Sequence, residues 1–441
     1  MTVTEGQAPA ESIDDYTARV RAWAVEHLTP AGAVGATNGD DKVGDWMRAR
    51  DLDPENDIAR GRAILKIAAD GGFGGIAFPK EYGGQGLPLA YGRAFNAGVA
   101  GFDFMPLAQF NLTLGMNAPA MIEFGTEEQK RHYLPRMFDG TDLWIQFLSE
   151  PTGGSDLASA ITRADRDGDE WVVNGSKIWT STADKADMGM CLVRTNWDVP
   201  KHRGMSVLII PMDAPGLEIL PLRLVSGQTG FCQEFFTDVR VPADALLGEL
   251  NDGWNVATRL LVHERNVLNG GSEYFLPPGG GFAAMASAGA GRRDDLLDLA
   301  EARGVNKDSH TRQLVAEAHI NSRVAGQAGP RVTTAMRKGL VPPAASSILK
   351  LLNSENSIRR SDITMEIAGT PAAVWEEDDT RSAMRGMGYL SRQTASLVSG
   401  TTEIQRNIIS ERVMDLPREA SPDRTMPFKD VAHNTMPTSE R

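Results

Sequence analysis

The chain has 441 residues with 45 basic and 58 acidic side chains, and its formal net charge of −13 argues against nucleic acid or an anionic membrane surface as main partner. It does not exclude an anionic ligand, because local basic groups and backbone N–H groups still bind phosphate. With 23% charged and 41% hydrophobic residues, the composition is that of a soluble globular protein with room for about three domain-sized units.

Both cysteines, Cys191 in "MGMCLV" and Cys232 in "GFCQEFF", sit in apolar strand-like runs, so buried free thiols in a reducing compartment are expected. No Cys/His spacing suits zinc, and no metal is expected. The opening "MTVTEGQAPAESIDDY" shows neither the basic start nor the apolar core of a secretory signal. No apolar run approaches the roughly 20 residues of a membrane helix. A cytoplasmic protein without a membrane span is expected.

Residues 1–143 read as helical, with apolar positions at three- and four-residue intervals and Gly/Pro punctuation in "FPKEYGGQGLP". In "GTEEQKRHYLPRM", Thr126 can cap a helix, Gln129 can complete a capping box, and Glu127 and Glu128 complement the positive helix end. From Trp144 to about Leu250 the period shortens. "EWVVNGSKIWTS" carries the hairpin signal Asn174-Gly175, and "MGMCLVRT", "RGMSVLIIPM", "LEILPLRLV" and "EFFTDVRVP" follow as short strands. Residues 144–250 therefore form a β domain, a sandwich or barrel. Helical periodicity returns over 251–420 in "WNVATRLLVHERNVL", "RRDDLLDLAEARG", "TRQLVAEAHINSRVAGQ" and "SENSIRRSDITMEIAG", interrupted by a Gly/Pro/Ala-rich stretch at 277–291. Residues 421–441 read as a loosely held polar tail.

Thr152-Gly153-Gly154-Ser155 is a small-residue loop where backbone could closely approach a ligand, although a tight structural turn is the simpler alternative for an isolated Gly-Gly. Trp179 alone would more often be a core aromatic than a ligand platform. In combination, "SEPTGGSD", "NGSKIWTS", "FFTDVRVP", "LNDGW" and "GTTEIQRNIISERVMDLPRE" come in an order and spacing that resemble the acyl-CoA dehydrogenases, and the resemblance runs from "FPKEYGGQG" to "LPRE". It implies an α+β architecture of N-terminal helices, a middle β-barrel domain and a C-terminal four-helix bundle, assembled as a tetramer. It also implies FAD, an acyl-CoA substrate and an electron-transferring flavoprotein as electron acceptor. By the same resemblance, Leu148 and Ser149 contact the flavin ring, and Trp179, Thr180 and Ser181 pack against it. Ser155 lies near the flavin phosphates and the CoA portion, and Arg265 is placed with it among the substrate contacts. Gly400, Thr401 and Glu403 match a cofactor-contacting helix start. A flavin needs a flat apolar wall and a few fixed hydrogen bonds to its polar edge, and these residue types supply both.

α,β-Dehydrogenation of an acyl-CoA also needs a carboxylate to take the Cα proton. In the family it often stands immediately before the Gly-Thr pair, where this chain has Ser399, and a lone serine hydroxyl is too weak a base. Glu403, at a helix start, has a simple electrostatic role instead. Glu264 in "RLLVHERNVL" is the candidate base. Val256, Leu260, Glu264 and Val267 or Leu268 share one helical face, and burial raises a carboxyl's pKa towards working pH. Some members of the family place their base on this helix directly before an arginine, here Arg265. A surface glutamate or an ion pair is the structural alternative.

Two further departures concern contacts to a neighbouring subunit. The family's Arg-x-x-Phe-Gly pattern, whose arginine reaches a neighbour's FAD pyrophosphate, reads "LAEARGV" with Ala300 at the arginine position and Arg303 one turn away. The Gln-x-x-Gly-Gly-x-Gly segment reads "EIAGTPA", where Pro371 removes a backbone donor. Both a homotetramer and a heterotetramer with a paralogous chain are therefore open. A non-catalytic or half-site subunit and a flavin oxidase or monooxygenase are the competing functions. The 277–291 stretch either reshapes the acyl wall for a bulky, branched or steroid group or is a surface linker.

Overall fold

The computed structural model describes residues 11–30, 54–104, 108–268, 274–276, 295–374 and 379–432, so the 277–291 stretch lies outside the described residues. Two compact units result. The described residues of Met1–Leu222, Gly230–Phe282 and Asp423–Arg441 form the first; those of Arg223–Thr229 and Ala283–Pro422 form the second.

In the first unit the helix Ile13–His27 is started by Ser12, whose hydroxyl accepts from the Asp15 N–H. It packs on Leu89–Gly98 through Tyr16, Val20 and Trp23. Helix Glu127–Phe138 begins with the expected capping box: Thr126 Oγ1 accepts from the Gln129 N–H at 3.2 Å, and Gln129 Oε1 accepts from the Thr126 N–H at 3.0 Å. Eight strands make one sheet: β1 Trp144–Phe147, β2 Arg163–Asp167, β3 Glu170–Ser181, β4 Met188–Arg194, β5 Met205–Pro211, β6 Leu217–Leu222, β7 Phe231–Pro242 and β8 Leu246–Leu247. Their order is β6-β7-β3-β2-β4-β5-β8, with β1 parallel to β4. Because side chains alternate along a strand, β4 and β5 serve two cores. Met190, Leu192, Val207 and Ile209 face the helices, whereas Cys191, Val193, Leu208 and Ile210 face the core under β7.

Three expectations are corrected. Asn174-Gly175 is not a hairpin: β3 runs straight through it, and the turn is made at Gly168, whose φ is +58°. Gly175 instead marks a bulge against β7, where a Cβ would lie 2.7 Å from Thr162 Cα, so close backbone approach explains the glycine. Helix Gly253–Leu268, expected at the head of the C-terminal bundle, belongs to the first unit. Its buried Val256, Ala257 and Leu260 join the core built by Phe110, Leu114, Met121 and Trp144. The polar tail is not loose over its described part, since Phe428 is 0% exposed in the first unit.

In the second unit, helix Ser309–Arg337 packs along Ser346–Ala368. The latter also carries Asp295–Ala302, Thr380–Ser391 and Thr402–Arg412, over a core of Leu299, Ala300, Leu314, Ile363 and Ile367. Among the described residues, no helix is long and apolar enough to cross a membrane.

Candidate active site

The "SEPTGGSD" and "NGSKIWTS" motifs are brought together by a backbone hydrogen bond and one lysine. The Ile178 N–H donates to Ser149 O at 3.0 Å, and Lys177 Nζ donates to Leu148 O at 3.1 Å. Lys177 also pairs with Glu150 at 2.8 Å, and both side chains are almost wholly buried. Burial pushes the Glu150 carboxyl up, but the Lys177 ammonium and the Ile161 and Thr162 groups outweigh it and hold it below the usual carboxylate range. The loop then turns back, so that a Cβ on Gly154 would lie 3.7 Å from Ser149 Oγ. Leu148 and Ser149, half-buried, thus lie against the segment that carries Trp179, and Ser155 is exposed at the end of the loop.

Trp179 is lifted out of the sheet by a register shift between Ile178 and Thr180 and takes φ +69°, a left-handed conformation that a bulky residue rarely adopts. Its indole is 55% exposed, with the Phe231 ring edge-on at 6.1 Å. An exposed, conformationally fixed aromatic is a platform for a flat ligand. Ser181 lies half-buried on the same strand. Thr180 points the other way: its hydroxyl donates to Glu234 Oε2 at 2.9 Å, so its side chain backs the wall rather than lining it. Glu234 is wholly buried, and its Oε1 has no hydrogen-bond partner among the described residues. Burial pushes its pKa up to about 8, against the Thr180 hydroxyl and the nearby Lys177. Gln146 Oε1 and Thr182 Oγ1 are two more buried oxygens without a partner among the described residues. The exposed indole and the small-residue loop fit the flat cofactor that the motifs imply.

Glu264 occupies another wall of the same unit. On its helix Val256, Leu260 and Val267 are buried as expected, while Glu264 and Arg265 are half-buried. Off that stripe, the position before Glu264 is His263, 1% exposed. Its Nε2 lies 3.1 Å from Glu123 Oε1, and Arg259 grips the same carboxylate with two N–H groups. Burial raises the Glu123 pKa, but Arg259 and His263 overcome it and bring the carboxyl down to about 2. This Glu123–Arg259–His263 cluster was not legible in sequence, since Glu123 lies more than a hundred residues from the other two. The helix rests on a π-helical turn, Thr113–Asn117, tied to β1 by the Thr113 and Asn117 side chains on Trp144. At Gly115 a Cβ would come within 2.2 Å of Val267 Cγ2, so only glycine lets the helix settle this close. Beyond it opens an apolar cavity of about 70 Å³ lined by Phe78, Phe95, Leu114, Phe138, Tyr274 and Phe275, among others.

Gly400, Thr401 and Glu403 lie in the second unit. Ser399 and Gly400 take left-handed φ of +59° and +88°, and the Thr401 hydroxyl caps helix Thr402–Arg412. Glu403 is exposed. Its own backbone N–H and the Thr402 and Thr401 hydroxyls hold its pKa below the usual range, which makes it a poor base. Ala300 is 0% exposed in the bundle core, where an arginine would not fit. The exposed Arg303 instead reaches the second departing segment, with an Nη 3.6 Å from where a Gly369 Cβ would stand.

Three domain models match this chain in order: acyl-CoA dehydrogenase N-terminal domain over residues 40–141, middle domain over 146–239 and C-terminal domain over 281–414. Acyl-CoA dehydrogenase IpdE1 of Mycobacterium tuberculosis is 33% identical over 416 residues, covering 93% of this chain and 99% of the relative. A solved structure described as the Tcur3481-Tcur3483 steroid ACAD superposes with a TM-score of 0.70 at 27% identity, covering 95% of this chain and 100% of that one. The ChsE4-ChsE5 complex from Mycobacterium tuberculosis gives 0.65 at 27% identity, covering 94% and 100%.

Proposed function

Because the chain belongs to the acyl-CoA dehydrogenase family and is an oxidoreductase of that class, we propose that it converts an acyl-CoA thioester to the 2-enoyl-CoA with Glu264 as base. FAD, when bound, supplies the acceptor for the hydride that leaves Cβ. The residues that would hold it are Leu148, Ser149, Trp179 and Ser181 at the ring, with Ser155 at the phosphates. Gly400, Thr401 and Glu403, by resemblance to the family's cofactor-contacting helix start, are separate cofactor-binding candidates.

The observation that carries the reading is a half-buried carboxylate on an otherwise apolar helical stripe, together with the absence of a carboxylate at Ser399. Glu264 would hold the Cα proton after its removal. Leu260 and Val267 keep the helix face apolar, which favours a carboxyl that both takes and releases a proton. Glu264→Gln keeps the shape and removes the base. Reconstituted with FAD, it should bind acyl-CoA yet fail to bleach the flavin anaerobically, with a rate loss of roughly 10²–10⁴-fold. Turnover at the wild-type rate would remove Glu264 from the role.

Electrons are proposed to pass to an electron-transferring flavoprotein, and oxygen uptake without that acceptor would instead indicate an oxidase. For the acyl group, the cavity of about 70 Å³ falls far below the several hundred Å³ of a complete ligand site, so it is at most an end pocket. Two relatives described as a steroid enzyme and as a two-chain complex motivate testing steroid-derived thioesters beside straight-chain ones. The buried Ala300 favours a hetero-oligomer in which a second chain supplies the pyrophosphate arginine.

A further inference from the structure

The C-terminal segment and the loop that ends in Ser155 are joined through two cations of the β domain. Arg194 is wholly buried. It gives its N–H groups to the carbonyls of Ala158, Ala160 and Lys201, so the short helical turn that follows the loop hangs from this one guanidinium. Its outer face is covered by Phe428, whose ring centroid lies 3.7 Å from the guanidinium carbon. Phe428 is itself 0% exposed and tilted against Trp197. It is fixed by its own N–H on Val199 O at 2.9 Å, with the Lys429 N–H on Trp197 O at 2.9 Å and the Lys429 ammonium on Asp198. The second cation is Lys201, whose Nζ lies 3.0 Å from Asp156 Oδ1 and 3.1 Å from Asp423 Oδ2. Asp156 directly follows Ser155. The same carboxylate also accepts from the Ser159 hydroxyl, closing the turn.

A buried arginine satisfied by carbonyls and an aromatic face, with no carboxylate in direct ion-pair contact among the described residues, depends on the exclusion of water for its geometry. Removing Phe428 would open that face and loosen the Ala158 and Ala160 carbonyls. Removing Asp423 would leave the Lys201 ammonium to Asp156 and the Ser159 hydroxyl and shift that carboxylate. Both changes act on the same stretch, immediately after the small-residue loop. The loop itself has few bonds of its own beyond the Glu150–Gly153 pair, 3.0 and 3.2 Å. Its position is therefore set from behind.

We propose that residues 423–430 are a positioning latch: through Phe428 on Arg194 and Asp423 on Lys201 they fix the 153–155 loop to receive the pyrophosphate-bearing end of a nucleotide ligand. This rests on the reading of that loop as a ligand site given above. Phe428 and Asp423 are positioning residues, since neither touches the ligand.

The test uses the full chain, with its partner subunit if one is needed. FAD is titrated into the apoprotein, and free coenzyme A is titrated calorimetrically into the FAD-loaded protein. Phe428→Ala and Asp423→Asn should weaken at least one of the two ligands about tenfold and raise KM with kcat within twofold. Amide exchange should quicken over residues 153–160 and not in β4 or β5. Phe428→Leu, which keeps the apolar plug, should recover part of the loss. Gly154→Val serves as the control on the loop. A Cβ there would find its nearest atom, Ser149 Oγ, at 3.7 Å, so the valine obstructs a ligand rather than the chain. If Gly154→Val weakens a ligand while both tail variants bind normally, the latch is wrong and the loop reading stands. If Gly154→Val also binds both ligands normally, the loop is no ligand site and both readings fall. Should Phe428→Ala not fold, Asp423→Asn decides by the same measurements, because Asp423 lies at the partly exposed end of the latch.

Discussion

Trp179 keeps a left-handed backbone inside a strand, a conformation that costs on the order of 1–3 kcal/mol and persists where surrounding structure enforces it. The enforcing contacts lie one residue to either side: Ile178 is tied to Ser149, and Thr180 to Glu234. Glu234 is held with its proton, its pKa being raised from 4.5 to about 8. The native state therefore binds more protons than the unfolded chain between those values, so the carboxyl's contribution is whole below pH 4.5 and is lost by about pH 8. The slope is about 1.4 kcal/mol per pH unit over the window. Urea unfolding of Glu234→Gln should show a flatter stability profile from pH 5 to 8 than the parent. An unchanged profile would mean that the buried carboxyl is not held neutral. A second residue-scale expectation concerns reach. Glu264→Asp keeps the base but withdraws it by one methylene, and misplacement of roughly 1 Å costs about 10²-fold in rate. Stopped-flow flavin bleaching should show this slowing without a matching change in acyl-CoA affinity.

At the scale of elements, the site wall depends on the Lys177–Glu150 pair that fastens β3 to the end of β1. Breaking a buried ion pair from one side leaves the other charge uncompensated, at about 3–5 kcal/mol. Glu150→Gln should therefore destabilise by that amount, and Lys177→Met added to it should recover part of the loss in a denaturant double-mutant cycle. Gly115 is the corresponding point for the base helix. Gly115→Val would drive a side chain into Val267, one turn from Glu264, and should cost about 1–3 kcal/mol in a thermal or urea melt. These elements explain what the sequence made legible. Capping boxes, strand alternation and motif order are local signals, and the helix at Glu127 and strands β4 to β7 appear where they were read. The Asn174-Gly175 pair misled because a bulge and a hairpin ask for the same residues, and only the partner strand decides between them. His263 beside Glu123, Lys177 under Glu150 and Phe428 on Arg194 are long-range pairings, and periodicity carries no trace of them.

The whole molecule poses the question of completeness. In the second unit, Ile320 and Val324 stand four residues apart on one face of helix Ser309–Arg337, 59% and 51% exposed. Two apolar residues aligned on an exposed helix face offer a surface that a second subunit can cover. The same unit lacks an arginine at Ala300, and its Thr370–Ala372 turn carries Pro371, where a backbone N–H is absent. A charge-assisted contact to a pyrophosphate is among the stronger hydrogen bonds, so its loss in every subunit of a homomer would weaken cofactor binding at each site. In a two-chain assembly the partner can restore it. Arg303 offers the homomeric route, since it lies beside Gly369 on the exposed side of the unit. The two assemblies separate by stoichiometry. The chain expressed alone should carry clearly less than one FAD per subunit by absorbance. Co-expression with a paralogous chain from the same genome should restore a fixed ratio and a defined mass by light scattering. If the lone chain instead forms a fully flavinylated tetramer, Arg303→Ala should strip its FAD, and the hetero-oligomer reading is replaced by the homomeric one.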